Sequence, residues 1–140
     1  MVPGAACVDA PLLRHDPAQP GWLLGELGEL GELGGDFTLM VFGDGNVIPS
    51  DVQHKLATGA VPVRIVLVLA QGQPAAAPHG VRRVTDSEGL LARRYDGRAG
   101  TCYLIRPDQH VCARWRAFDA DAIHAALLRA LCRPPDSPPH

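Results

Sequence analysis

Residues 101–116 read TCYLIRPDQHVCARWR, two short runs of aliphatic, aromatic and β-branched residues on either side of Pro107, Asp108 and Gln109. Proline presets the backbone dihedral of a turn and aspartate bonds its own backbone there, so the stretch predicts a β-hairpin. A turn centred on Asp108 and Gln109 sets Leu104 opposite Ala113 and Cys102 opposite Trp115. Because strand side chains alternate, Cys102 and Cys112 are then expected on opposite sheet faces. Downstream, Asp119 stands where a helix cap belongs, with Phe118 placed to staple onto Ile123. Leu127 and Leu131 continue that apolar stripe, Arg129 and Arg133 suit the negative helix end, and Pro134 and Pro135 stop it.

Upstream, Thr85 and Glu88 have capping-box spacing and open a predicted helix carrying Leu90, Leu91 and Tyr95, closed by Gly97 and Gly100. Earlier still, FTLMVFG from Phe37 and VPVRIVLVL from Val61 are continuous apolar runs, which suit strands buried on both faces. Between them Ser50 and Gln53 form a second capping box that predicts a short helix to about Gly59, while residues 71–80 read as a surface loop. GWLLGELGELGELGG, from Gly21, holds three copies of Gly-Glu-Leu in which Leu23, Leu27 and Leu30 share one helical face with the glutamates opposite. Each glycine weakens a helix by roughly 1 kcal/mol relative to alanine, so this one needs its leucines docked on a core.

A β-α-β unit feeding a β-β-α unit is the thioredoxin arrangement, an α/β three-layer fold with a central mixed sheet flanked by helices. The expected organisation is an extended proline-rich arm over residues 1–20, one domain over 21–133 and a disordered tail over 134–140. With 140 residues, 46% hydrophobic and 20% charged, the chain fits a single globular domain. The net charge of -2 gives no global case for a nucleic-acid partner, and no apolar run reaches the length of a membrane helix. A cytoplasmic location without membrane or nucleic-acid partners is therefore expected. The charge is uneven: residues 1–60 carry eight acidic and two basic side chains, residues 61–140 seven and eleven.

A thiol enzyme of this fold would place its nucleophilic cysteine after the first central strand, where the helix end lowers the thiol pKa. Here that segment is GDGNVIPSD, without a cysteine, and Gly100 and Thr101 stand where redox-active thioredoxins carry a cis-proline. Cys7, Cys102, Cys112 and Cys132 are scattered, with no C-x-x-C pair, and read as reduced structural thiols. His110, Cys112, His124 and Cys132 lack the paired spacing of a zinc site. Gly43-Asp44-Gly45 begins like a dinucleotide loop, but the third glycine would fall on Ile48. Asp119 and Asp121 sit in a first helical turn, where capping and the dipole account for both.

GGDFTLMVFG, LLARRYDG and YLIRPDQHVCARW, with the alanine-rich last helix, resemble the C-terminal thioredoxin-like domain of FAD-dependent aromatic hydroxylases. These are the phenol-hydroxylase-like and 3-(3-hydroxyphenyl)propionate-hydroxylase-like flavoprotein monooxygenases. The resemblance spans roughly Pro3 to Ala130, with Asp9-Ala10-Pro11-Leu12 as its opening segment. It implies a fold that has lost its thiol pair and has a structural or subunit-contact role beside a catalytic flavin domain. The flavin and substrate domains are not in this chain, so the resemblance supplies no catalytic, FAD-binding or metal residue here, and FAD belongs to the parent family's missing domain. Arg106 to His110 match the family's hairpin motif, where turn formation is the simplest role, and the repeated Gly-Glu-Leu departs from the family's pattern.

The favoured expectation is a non-catalytic interaction module, contacting a second copy or a flavin-containing hydroxylase domain. Tyr103, Arg106, Arg114, Trp115 and Arg116 are the candidate interface, since Arg, Tyr and Trp dominate interface hot spots. The alternative is a small thiol redox or peroxidatic enzyme that uses Cys102 or Cys112.

Overall fold

The computed structural model describes residues 2–15, 18–32, 37–44, 48, 62–73 and 80–132. The elements are β1 (Pro11–Arg14), β2 (Gln19–Trp22), α1 (Leu23–Glu32), β3 (Phe37–Phe42), β4 (Val63–Ala70), β5 (Arg82–Asp86), α2 (Leu90–Tyr95), β6 (Cys102–Ile105), β7 (Val111–Trp115) and α3 (Ala120–Cys132). The two apolar runs form the middle of a seven-stranded sheet of order β2-β1-β5-β4-β3-β6-β7. β3, β4 and β5 are parallel, with Phe37 opposite Val63 and Phe42 opposite Val68, while β1, β2, β6 and β7 extend the sheet antiparallel on its two sides.

Alternation along the central strands builds two cores. Met40, Phe42, Val66 and Val68 face the layer of α1 and α2, where Leu23, Leu27, Leu91 and Tyr95 close over them. Leu39, Val41, Ile65 and Leu67 face the opposite way and pack with Ile123 and Leu127 of α3. A sheet covered on both faces explains why these strands read as continuous apolar runs. Among the described residues no helix is long and apolar enough to cross a membrane.

The sheet holds three more strands than the four expected. The segment read as an extended arm supplies β1 and the first half of β2, and β1 pairs with β5 through Leu13–Thr85 and Arg14–Val84. Proline is tolerated here because these strands lie towards the rim of the sheet, where a missing N–H costs least. The Thr85–Glu88 capping box does not form, because Thr85 and Asp86 are the end of β5. Gly89 occupies the N-cap of α2 without a side-chain bond, and the buried Asp86 carboxylate instead accepts from Leu91 N at 3.0 Å and Ala92 N at 2.9 Å. The α1 helix is capped from a distance by Asp9, whose Oδ1 accepts from Leu24 N at 3.0 Å. Asp119 caps α3 as expected, accepting from Asp121 N and Ala122 N. The predicted helix from Ser50 to Gly59 and the tail from residue 134 lie outside the described residues.

Candidate functional site

The β6–β7 hairpin has the expected register, Cys102 opposite Trp115 and Leu104 opposite Ala113, followed by a bulge that sets Ile105 opposite Val111. Cys112 is the extra residue, and it packs against the same core cluster as Cys102. The expected placement of the two thiols on opposite faces is thereby corrected, since one inserted residue reverses the alternation.

The hairpin tip is turned into the fold. Gln109 adopts φ 64, a left-handed conformation that a non-glycine residue takes only when its surroundings hold it there. Its amide Nε2 donates to Leu24 O at 3.1 Å, tying the turn to α1. The N-terminal segment lies along the other side, with Val111 N donating to Ala5 O at 2.8 Å and Cys7 N to Gln109 O at 2.8 Å. Arg106 pairs with Asp108, and His110 Nδ1 lies 3.3 Å from Asp108 Oδ1. The motif Arg106 to His110 thus forms a turn, as its sequence implies, and also a lock between α1 and the first residues of the chain.

Tyr103 does not present a surface: it is 0% exposed, its hydroxyl donates to Tyr95 O, and its ring meets that of Tyr95 edge-on at 5.3 Å. Arg114 covers it, with the guanidinium carbon 5.7 Å from the ring centroid. Trp115 is half-buried against the α3-side core. Of the expected interface residues, the structure brings Arg114 and Arg116 together on one carboxylate, that of Asp96, at 3.1 and 2.8 Å, and leaves Arg106 with Asp108 at the other end of the hairpin. Asp96 was not legible as part of this group, because its left-handed cap conformation and its partners beyond β6 have no local signature. Arg116, then Arg98 and Arg114, hold its carboxyl below the usual aspartate range.

The thiols of Cys7, Cys102 and Cys112 are all raised above the ordinary cysteine value. Burial pushes the Cys102 thiol up to about 12, and it donates to Gly100 O at 3.2 Å. Burial also raises Cys7 and Cys112. At the carboxyl ends of β3 and β4, where thiol enzymes of this fold act, an apolar cleft of about 140 Å³ is lined by Phe42, Val68, Ala92, Gly97 and Ala99. Among the described residues that line it, none is a cysteine. A polar cleft of about 240 Å³ lies between β1, β5 and α1, lined by Arg14, His15, Glu26, Arg82 and Arg83. Among the described residues no three side chains of metal-ligating type cluster.

Comparison with known proteins places these features. The family model described as the HcaD C-terminal domain matches residues 31–130. The flavin-dependent monooxygenase PieE, solved with FAD and substrate, is 25% identical with a TM-score of 0.63 over 94% of this chain and 20% of its own. Aklavinone-11 hydroxylase, solved with FAD and aklavinone, is 25% identical with a TM-score of 0.58 over 91% of this chain and 21% of its own. The chain thus spans about a fifth of each monooxygenase. A protein described as the thiol:disulfide interchange protein DsbE, from Chlorobium tepidum, is 17% identical with a TM-score of 0.69 over 94% of this chain and 99% of its own, which makes the fold thioredoxin-like. No curated protein sequence matches the chain.

Proposed function

Since the chain belongs to the HcaD C-terminal domain family, we propose that it acts as a non-catalytic thioredoxin-like module with a structural or protein-contact role. Its partner is a second copy or a flavin-containing hydroxylase domain, and FAD is a property of that larger assembly. The observation that carries this is the state of the thiols: the segment after β3, GDGNVIPSD, has no cysteine, and Cys102 is fully buried with its thiol raised. A nucleophilic thiol needs the opposite, access and a lowered pKa. An enzyme built on Cys102 or Cys112 is for that reason not favoured. A cytoplasmic location belongs to the same proposal, because free thiols persist in reducing compartments.

The test is direct. The purified chain is expected to be colourless after gel filtration and inactive in insulin reduction and peroxide consumption. A flavin absorbance band that stays with the chain, or turnover abolished by Cys102→Ser or Cys112→Ser, would overturn the proposal.

A further inference from the structure

Arginines converge where α2 ends and β7 finishes. Arg93 and Arg94 form the basic last turn of α2, Arg98 follows in the loop, and Arg114 and Arg116 come from β7 and the residue after it. Asp96 is the carboxylate among them, contacted by Arg114 and Arg116 and within the field of Arg98. The helix dipole accounts for cations at positions 93 and 94, but not for the three beyond the helix. Arg94 is engaged with Asp9 O, and Arg114 with Tyr103 and Asp96, so these two serve the fold. Arg98 and Arg116 are exposed, and the Arg116 side chain keeps 61% of its surface.

We infer that this arginine cluster around Asp96 is a docking surface for a short carboxylate-rich segment of a partner protein. The inference rests on the proposed contact role and adds the chemistry of the partner. Two guanidinium groups, those of Arg114 and Arg116, meet one carboxylate with exposed Arg98 close in sequence, and planar guanidinium forks can match further carboxylates in paired hydrogen bonds. The cluster already holds one carboxylate, with Arg114 and Arg116 both on Oδ2 of Asp96, which leaves other guanidinium N–H groups for a ligand. Nucleic acid fits less well, because the aromatic rings beneath the cluster, Tyr95 and Tyr103, are fully buried and offer no face for base stacking. The net charge of -2 also disfavours a long polyanion while leaving a local basic patch open to a short one.

The experiment titrates the full chain against a fluorescein-labelled oligoglutamate peptide by anisotropy, with an oligothymidylate of equal charge in parallel. Peptide binding that weakens with salt is expected, with amide shifts over residues 93–99 and 114–117. Arg98→Glu with Arg116→Glu should weaken it at least about tenfold, because a rejected charge is added to a lost one. Circular dichroism and thermal unfolding show whether this variant is folded at the titration temperature, and Arg98→Gln with Arg116→Gln serves as the second variant if it is not. Equal binding by the folded variant, shifts centred on Arg14, Arg82 and Arg83, tighter binding of the oligothymidylate, or no peptide binding would each overturn the docking surface. Bound flavin or thiol turnover would overturn the module itself, however the peptide behaves.

Discussion

Nε of Arg14 lies 2.6 Å from Oε1 of Glu26, while Arg82 holds Oε2 of the same carboxylate at 3.1 Å. Glu26 was expected on the outer face of the Gly-Glu-Leu helix, yet it is 3% exposed and fastens α1 to β1 and β5. Glu26→Ala removes the carboxylate from between two guanidinium groups. A fully buried pair broken in this way costs roughly 3–5 kcal/mol; with both arginines about a third exposed, solvent screening brings the expected loss to about 2 kcal/mol. Urea unfolding with an unchanged slope measures it, and an unmoved midpoint would show that the pair contributes nothing.

Two glycines should respond in opposite directions to alanine. A Cβ on Gly25 meets nothing within 4 Å, so Gly25→Ala should gain about 0.5–1 kcal/mol from helix propensity alone. A Cβ on Gly97 would stand 2.5 Å from two ring carbons of Phe42, which is buried between β3 and the loop before β6. Gly97→Ala should lose about 1–3 kcal/mol as the ring is displaced. Thermal melts of the two variants run side by side check the pair.

Cys102 should resist chemistry until the fold opens. Cys102 is expected to stay unmodified by iodoacetamide at mildly alkaline pH in the native chain and to react once urea unfolds it, with the half-buried Cys112 reacting first. The thiol's raised pKa means that the folded state keeps its proton longer than the unfolded state. Stability from this source is complete below the unfolded thiol value of 9.0 and is lost as pH rises towards about 12. Urea midpoints measured across that window should fall, and a smaller fall is expected in Cys102→Ala.

Asp96 has the reverse sign. Its carboxyl is held low by Arg116 first, and by Arg98 and Arg114, so its contribution is present above the ordinary aspartate range and disappears as pH falls through the depressed value. Asp96→Asn should therefore flatten the acid limb of the stability profile below the ordinary aspartate range. If the two profiles run parallel, the carboxylate does not hold the arginines in solution.

The hairpin register was readable because Pro107, Asp108 and Gln109 fix it within a few residues, and the pairing of Cys102 with Trp115 follows by counting. The central strands were readable for the same local reason, apolar runs bounded by glycine and proline. What escaped depends on distant partners. β5, RRVTD, has little apolar content and becomes a strand because β4 and β1 lie on either side of it. The burial of Glu26 requires arginines 12 residues before and 56 residues after it. The bulge at Cys112 and the cap supplied by Asp86 are single-residue departures that mimic regular patterns in sequence. At the candidate surface, Arg114 and Arg116 were legible as cations, but Tyr103 was misplaced, because a tyrosine on an edge hairpin gives no sign of lying beneath an arginine.

The strap formed by the first residues across the hairpin turn has a consequence for synthesis. Cys7 bonds Gln109, the Tyr95 hydroxyl donates to Val8 O at 2.6 Å, and Gln109 reaches back 85 residues to Leu24. Residues 7 and 8 leave a ribosome well before Tyr95 and Gln109, so they find their partners only after most of the domain has been made. At translation speeds of roughly 5–20 residues per second, that delay is on the order of 5–20 seconds. During it Leu23 and Leu27 of the glycine-weakened helix stay uncovered, so the nascent chain rather than the finished domain is the form most exposed to aggregation and to chaperone capture.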